Sequence, residues 1–174
     1  MKRIATLATL GAVGFGSILS LAGADSKTVT DPTGDSTLGA GLDIVKAKAK
    51  HKGERKLVHI VKMDGALPED LDAQQISLQL NRDGDRDCER EFHATNVGRV
   101  PLIRCGIGEG NKSARVAKPN ASTLKFTFKI KGIIGGRDKY GWRFRVRENP
   151  GDPDVDSLPD DGPAGVKYIK HKLD

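Results

Sequence analysis

At 174 residues, the chain has the length of a single domain, and its formal net charge of +6 is too modest a basic excess to name an anionic partner. Aromatic residues make up only 5 %, so a core must draw mainly on Leu, Ile and Val. Beyond the first residues, no stretch is long and apolar enough to span a bilayer.

Met1 to Ala24 reads as a secretory signal. Lys2 and Arg3 open it, Ile4 to Leu21 is apolar or small, and Ala22-Gly23-Ala24 fits a small-x-small cleavage site before Asp25. A transmembrane anchor is the weaker reading, because the run is rich in Gly, Ser, Thr and Ala and no positive cluster follows it. Cleavage removes two positive charges and no acid, lowering +6 to +4. Residues 25–174 are then expected to form one secreted domain.

Asp25 to Thr30 is a polar lead, and DPTGD, Asp31 to Asp35, is turn chemistry. Leu42 to Ala49 reads as a strand with Val45, Ala47 and Ala49 facing inward. Leu57 to Met63 is an almost wholly apolar second strand, and Ile76 to Leu80 alternates as a third. Glu91 to Val97 and Val100 to Cys105 pair through Gly98. Gly106 to Asn120 reads as loop, with a short strand near Arg115 to Ala117. The clearest alternation follows: Leu124, Phe126, Phe128 and Ile130 interleave with Lys125, Thr127, Lys129 and Lys131, then Trp142, Phe144 and Val146 with Arg143, Arg145 and Arg147. Glu148 to Pro163 is a Pro-, Gly- and Asp-rich loop, and Val166 to His171 a last edge strand. With no amphipathic helix, the pattern predicts an all-β antiparallel sandwich, jelly-roll-like or immunoglobulin-like.

The two cysteines, Cys88 and Cys105, are expected to form a disulfide in an exported chain. Three acidic groups are candidate calcium ligands, because that ion takes clustered carboxylate and carbonyl oxygens. They are Asp31, Asp35 and Asp43; Asp83, Asp85 and Asp87; and Asp152, Asp154 and Asp156, with Asp160 and Asp161 beyond. Neither DxDxD run is an EF-hand, since the twelfth positions are Ala94 and Pro163 and the glycine after Asp83 is misplaced. Solvated turns are the plainer alternative.

Together, DPTGD followed by LDIVKAKA, then ISLQLNRDGD, then the FTFKI and YGWRFRV pair before an Asp/Pro tail, resemble secreted β-sandwich modules. These are family-nine carbohydrate-binding domains and glucodextranase-type C-terminal domains. The resemblance implies a jelly-roll-like sandwich, often with structural calcium, attached to or acting on polysaccharide, and makes Asp31, Asp35 and Asp43 the leading ligand candidates. Such binders stack exposed aromatics on sugar rings. Tyr140, Trp142 and Tyr168 are the aromatics available, although Trp142 shares a strand face with Phe144 and Val146 and so reads as core.

The second candidate surface is cationic. If the two late strands are neighbours, Lys125, Lys129, Lys131, Arg143, Arg145 and Arg147 share one face, which would suit an anionic cell-wall polymer; the alternative is a solvated face that discourages edge pairing. Nucleic acid is disfavoured, since no stacking aromatics interrupt these cations. His59 reads as a hydrogen-bonded structural histidine, and no nucleophile elbow is present. The sequence therefore predicts a secreted, non-catalytic module binding extracellular polysaccharide or a cell-envelope polymer, stabilised by calcium. A structural or protein-interaction module is the alternative.

Overall fold

The computed structural model describes residues 26–52, 55–71, 75–83, 85, 87–95, 97–105, 107–149, 152–161 and 166–173. The expected signal, residues 1–24, lies outside them. In chain order the strands are β1 (Ser26–Thr30), β2 (Ile44–His51), β3 (Lys56–Met63), β4 (Gln75–Asn81), β5 (Arg90–His93), β6 (Gly98–Arg104), β7 (Gly108–Asn120), β8 (Thr123–Lys129), β9 (Lys139–Arg147), β10 (Asp156–Leu158) and β11 (Ile169–Lys172). A 3-10 turn, Ala40–Leu42, precedes β2.

All pairings are antiparallel, and the strands form one continuous sheet in the order β1-β2-β3-β8-β7-β6-β5-β4-β9-β10. β11 lies beside β10 on the same edge of β9. The sheet curls until β10 meets the start of β2, so it nearly closes into a barrel. Its interior is filled by the alternating apolar positions. On β8, Leu124, Phe126 and Phe128 are buried while Lys129 is exposed. Aromatic rings bridge the interior: Phe126 packs on Phe144 at 5.6 Å between centroids and Phe92 on Phe128 at 5.2 Å.

Two departures from simple alternation have local causes. A bulge between Ile44 and Lys46 shifts the β2 register, so Ile44 joins Ala47 and Ala49 inside while Val45 is only half buried. Gly108 to Asn120, expected as loop with a short strand, is one 13-residue strand. Only Ala114 and Val116 of β7 are buried, so its apolar signal is faint; two neighbouring strands, β6 and β8, supply its ladder instead.

The late strands are not neighbours. β8 lies between β3 and β7, and β9 lies between β4 and the β10–β11 edge. The chain crosses from one to the other through residues 130–136, where Gly135 and Gly136 take φ of +74° and +71°. The Arg90 guanidinium donates to the carbonyls of Gly132 and Ile133 and holds that crossing down. Cys88 and Cys105 lie with their sulfurs at bonding distance and their Cα atoms 5.7 Å apart, joining the approach to β5 to the end of β6.

Candidate metal centre and the two charged faces

Five carboxylates converge where the sheet nearly closes. Ligand oxygens of Asp31, Asp35 and Asp160 lie within 4.8 Å of one another, as do those of Asp35, Asp43 and Asp156, with Asp35 common to both sets. The loop after β1 supplies Asp31 and Asp35. Asp43 follows the 3-10 turn, Asp156 opens β10, and Asp160 stands just past it. Gly34, at φ +84°, turns the DPTGD loop back so that its amide donates to Asp43 Oδ2 at 2.5 Å. The Ile44 amide donates to Asp156 Oδ2 at 2.5 Å.

These bonds leave the cluster short of positive charge. Asp43 is 1 % exposed, and its Oδ1 has no hydrogen-bond partner among the described residues; the same is true of the buried Asp31 Oδ2. Burial, then the neighbouring carboxylates Asp160, Asp156, Asp35 and Asp43, push Asp31 up to about 7. Asp156 rises to about 6, chiefly through burial and through Asp35 and Asp43, against the pull of the Ile44 amide. Asp35 is raised as well, by desolvation and by its hydrogen bond to Asp43. An all-oxygen donor set with unpartnered, buried anionic atoms fits a hard cation such as calcium.

The other acidic candidates are spent differently. Asp83, Asp85 and Asp87 do not converge. Asp85 accepts from Asn81 Nδ2 at 2.6 Å and from the Asp87 amide at 3.0 Å, which is turn chemistry within the loop. Asp152 accepts from the Asn149 amide and side chain. Asp154 is taken by arginine, meeting Arg143 at 2.7 Å, Arg145 at 3.3 Å and Arg147 at 2.7 Å. Of the third acidic group, Asp156 and Asp160 reach the cluster, and Asp152, Asp154 and Asp161 are held elsewhere.

That arginine set corrects the expected cationic face. Arg143 is 1 % exposed and Arg145 is 7 % exposed, beneath the acidic loop after β9. Arg143 also pairs with Asp161 at 2.8 Å, and Arg145 with Glu91 at 2.5 Å. Burial works to raise the Glu91 carboxyl, but the His93 hydrogen bond and the Arg145 charge win and hold it at about 2. Both faces of β9 are therefore covered, a position its alternation alone does not reveal.

The aromatic candidates also lie inside. Trp142 is fully buried, and Tyr140 is 2 % exposed, its hydroxyl 2.8 Å from His59 Nε2. His59 is enclosed by Phe128, Trp142 and Phe144, and burial lowers it far below the usual histidine value. Tyr168 is half buried against Gly141, where an added Cβ would stand 2.8 Å from its own Cβ. Burial pushes its phenol up to about 12. Trp142 and Tyr140 therefore offer no exposed ring for stacking, and Tyr168 is only partly exposed.

Lys125 and Lys129 do stand on a cationic surface, with partners the sequence did not suggest. β1, β2, β3, β6 and β8 contain no acidic residue. Register sets Lys56 opposite Lys129, Lys46 opposite Lys62 and Arg99 opposite Arg115. Lys48, Ile60 and Lys125 form one row across three strands, and Lys50, Val58, Thr127, Arg115 and Arg99 another. A cleft of about 750 Å³ opens on this face, with Lys52, Lys56, Arg99, Lys112, Arg115, Lys125, Lys129 and Lys131 in its lining.

Comparison with protein-family models, with curated proteins and with solved structures returned no match for this chain.

Proposed function

We propose that the chain is a secreted, non-catalytic binding module for extracellular polysaccharide or a cell-envelope polymer, with calcium holding its sheet closed. The convergence of Asp31, Asp35, Asp43, Asp156 and Asp160 carries the reading. Like-charged carboxylates gathered in a half-buried site repel, and a divalent cation turns that repulsion into a cross-link between the two ends of the domain. Asp43 and Asp156 would supply buried anchoring oxygens, Asp31, Asp35 and Asp160 the outer ones. The resemblance of the DPTGD start and the Asp/Pro tail to calcium-bearing carbohydrate modules agrees with this arrangement.

The finer architecture we read as a jelly-roll-like sandwich. One wall is β3 and β8, and the facing wall is β4, β5 and β9. His59 to Trp142, at 5.1 Å between ring centroids, and Phe126 to Phe144, at 5.6 Å, are contacts across the gap.

Calorimetric titration with calcium, paired with thermal melts in chelator, tests the cation. Saturable binding that Asp43→Asn abolishes, with a Tm that falls on chelation, supports the reading. No binding heat and an unchanged Tm would overturn it. Cosedimentation with insoluble polysaccharides and purified cell wall tests the polymer, and retention on none of them would remove that half.

A further inference from the structure

The cationic side of the sheet is built at a cost. Directly opposed like charges on neighbouring strands destabilise a sheet, and three such pairs, Lys56–Lys129, Lys46–Lys62 and Arg99–Arg115, share this face. Acidic residues interspersed among them would relieve the repulsion, yet β2, β3 and β8 have none, and none of these cations forms an ion pair among the described residues. On β9 and just after β4 the chain does neutralise arginines: Arg143, Arg145 and Arg147 share Asp154, and Arg82 pairs with Glu89 at 2.9 Å. The contrast locates an uncompensated positive field on one face, in rows about 7 Å apart set by the two-residue strand repeat.

The side chains between the cations narrow the occupant. Thr127, Ser113 and Asn111 line the cleft and offer hydroxyl and amide groups. No aromatic residue stands at the outward positions of β2, β3 or β8, and Phe128, the ring that lines the cleft, is 3 % exposed, so bases have little to stack on. Membrane binding wants an apolar anchor beside the charge. Among the described residues, the exposed large hydrophobics, Val97 and Ile107, are at the turns flanking β6 and not on the cationic rows. Lysines with hydroxyl and amide neighbours suit a hydroxyl-rich chain carrying fixed negative groups.

We propose that this face, centred on Lys56, Arg115, Lys125 and Lys129, binds an acidic polysaccharide through its carboxylate or sulfate groups. The inference rests on the polymer-binding reading above and names the class of polymer.

Affinity electrophoresis and cosedimentation of the purified protein at fixed free calcium test it. The probes are a polyuronate, a sulfated polysaccharide, a neutral glucan, single-stranded DNA and vesicles containing anionic lipid. Expected are retention by the acidic polysaccharides that disappears at about 1 M salt, where screening acts within about 3 Å, and a loss of at least about tenfold in Lys125→Glu/Lys129→Glu, in line with repulsion replacing attraction at two contacts. Lys167→Glu/Lys170→Glu, a charge-matched change away from these strands, should bind as the parent does. Salt-resistant retention on the neutral glucan, indifferent to the double variant, would overturn this inference and leave the polymer-binding reading standing. Tighter binding to DNA or vesicles than to any polysaccharide would overturn the assigned class. Retention by no probe would remove both.

Discussion

The backbone amide of Ile44 donates to the carboxylate of Asp156 at 2.5 Å, joining residues 112 positions apart. This bond crosses the line where β2 and β10 come together without a ladder, and the five-carboxylate cluster is arranged along it.

Stability in chelator should therefore fall as pH rises. Asp31 and Asp156 sit near 7 and 6 in the folded chain, above the ordinary carboxylate value of 3.8. The folded state binds more protons than the unfolded one between these limits, so stability is greatest below about pH 4 for these groups and is lost through about pH 7. Thermal melts in chelator should give a higher Tm at pH 5 than at pH 8, and excess calcium should reverse that order. A Tm that rises from pH 5 to 8 in chelator would contradict the assignment.

Glu91 should act in the opposite direction. Its folded value of about 2 lies below its ordinary 4.5, so its contribution is intact above pH 4.5 and is lost as the pH falls toward 2. Arg145→Met takes the guanidinium from Glu91, leaving it His93 at 3.1 Å, and should cost up to about 3–5 kcal/mol, the usual penalty for breaking a buried pair. Urea unfolding of Arg145→Met against Arg145→Met/Glu91→Gln measures it; the double variant should recover part of the loss.

Replacing Cys88 and Cys105 together by Ser should destabilise the protein by about 3 kcal/mol, since the link closes a loop with a sequence separation of 17. Intact protein should take up no maleimide before reduction. Two thiols reacting without denaturant would exclude the link.

Trp142 is the only tryptophan and is fully buried, so intrinsic fluorescence reports the core. Emission should be blue-shifted, resist iodide quenching and stay unchanged when saccharide is added. Quenching by a bound sugar would place that ring at a binding surface. Tyr140→Phe leaves the buried His59 Nε2 without the hydroxyl now 2.8 Å away and should cost about 1–3 kcal/mol in denaturant unfolding.

Alternation made β8 legible, because Phe126 and Phe128 face the core and Lys129 faces water. The same rule misread β9, whose arginines obey the period but lie under a loop that returns from 154 and 161 to neutralise them. Strand order was the hidden variable: adjacency in sequence suggested that β8 and β9 pair, while the ladder joins β8 to β3 and β9 to β4. Short strands such as β1 and β10 owe their existence to a partner's edge, which no local pattern encodes. At the carboxylate cluster, spacing picked out Asp31, Asp35 and Asp43 as one group and Asp156, with Asp160 beyond it, as part of another; that the two groups meet is set by the near-closure of the sheet, which no local pattern encodes. The cationic rows were hidden for the same reason, since Arg99, Arg115 and Lys56 meet only through register.

The pairings of β3 with β8 and of β4 with β9 each span sixty residues or more, for example Val61 with Leu124 and Leu78 with Phe144. Neither pair can be nucleated by a hairpin, and loop-closure entropy must be met before either ladder returns energy. Sheets of this kind reach the native state in about milliseconds to seconds, far behind helical bundles of similar stability. If the chain is exported as we propose, that delay would keep the polypeptide threadable during translocation, because the ladder of β4 with β9 cannot complete until β9 is available.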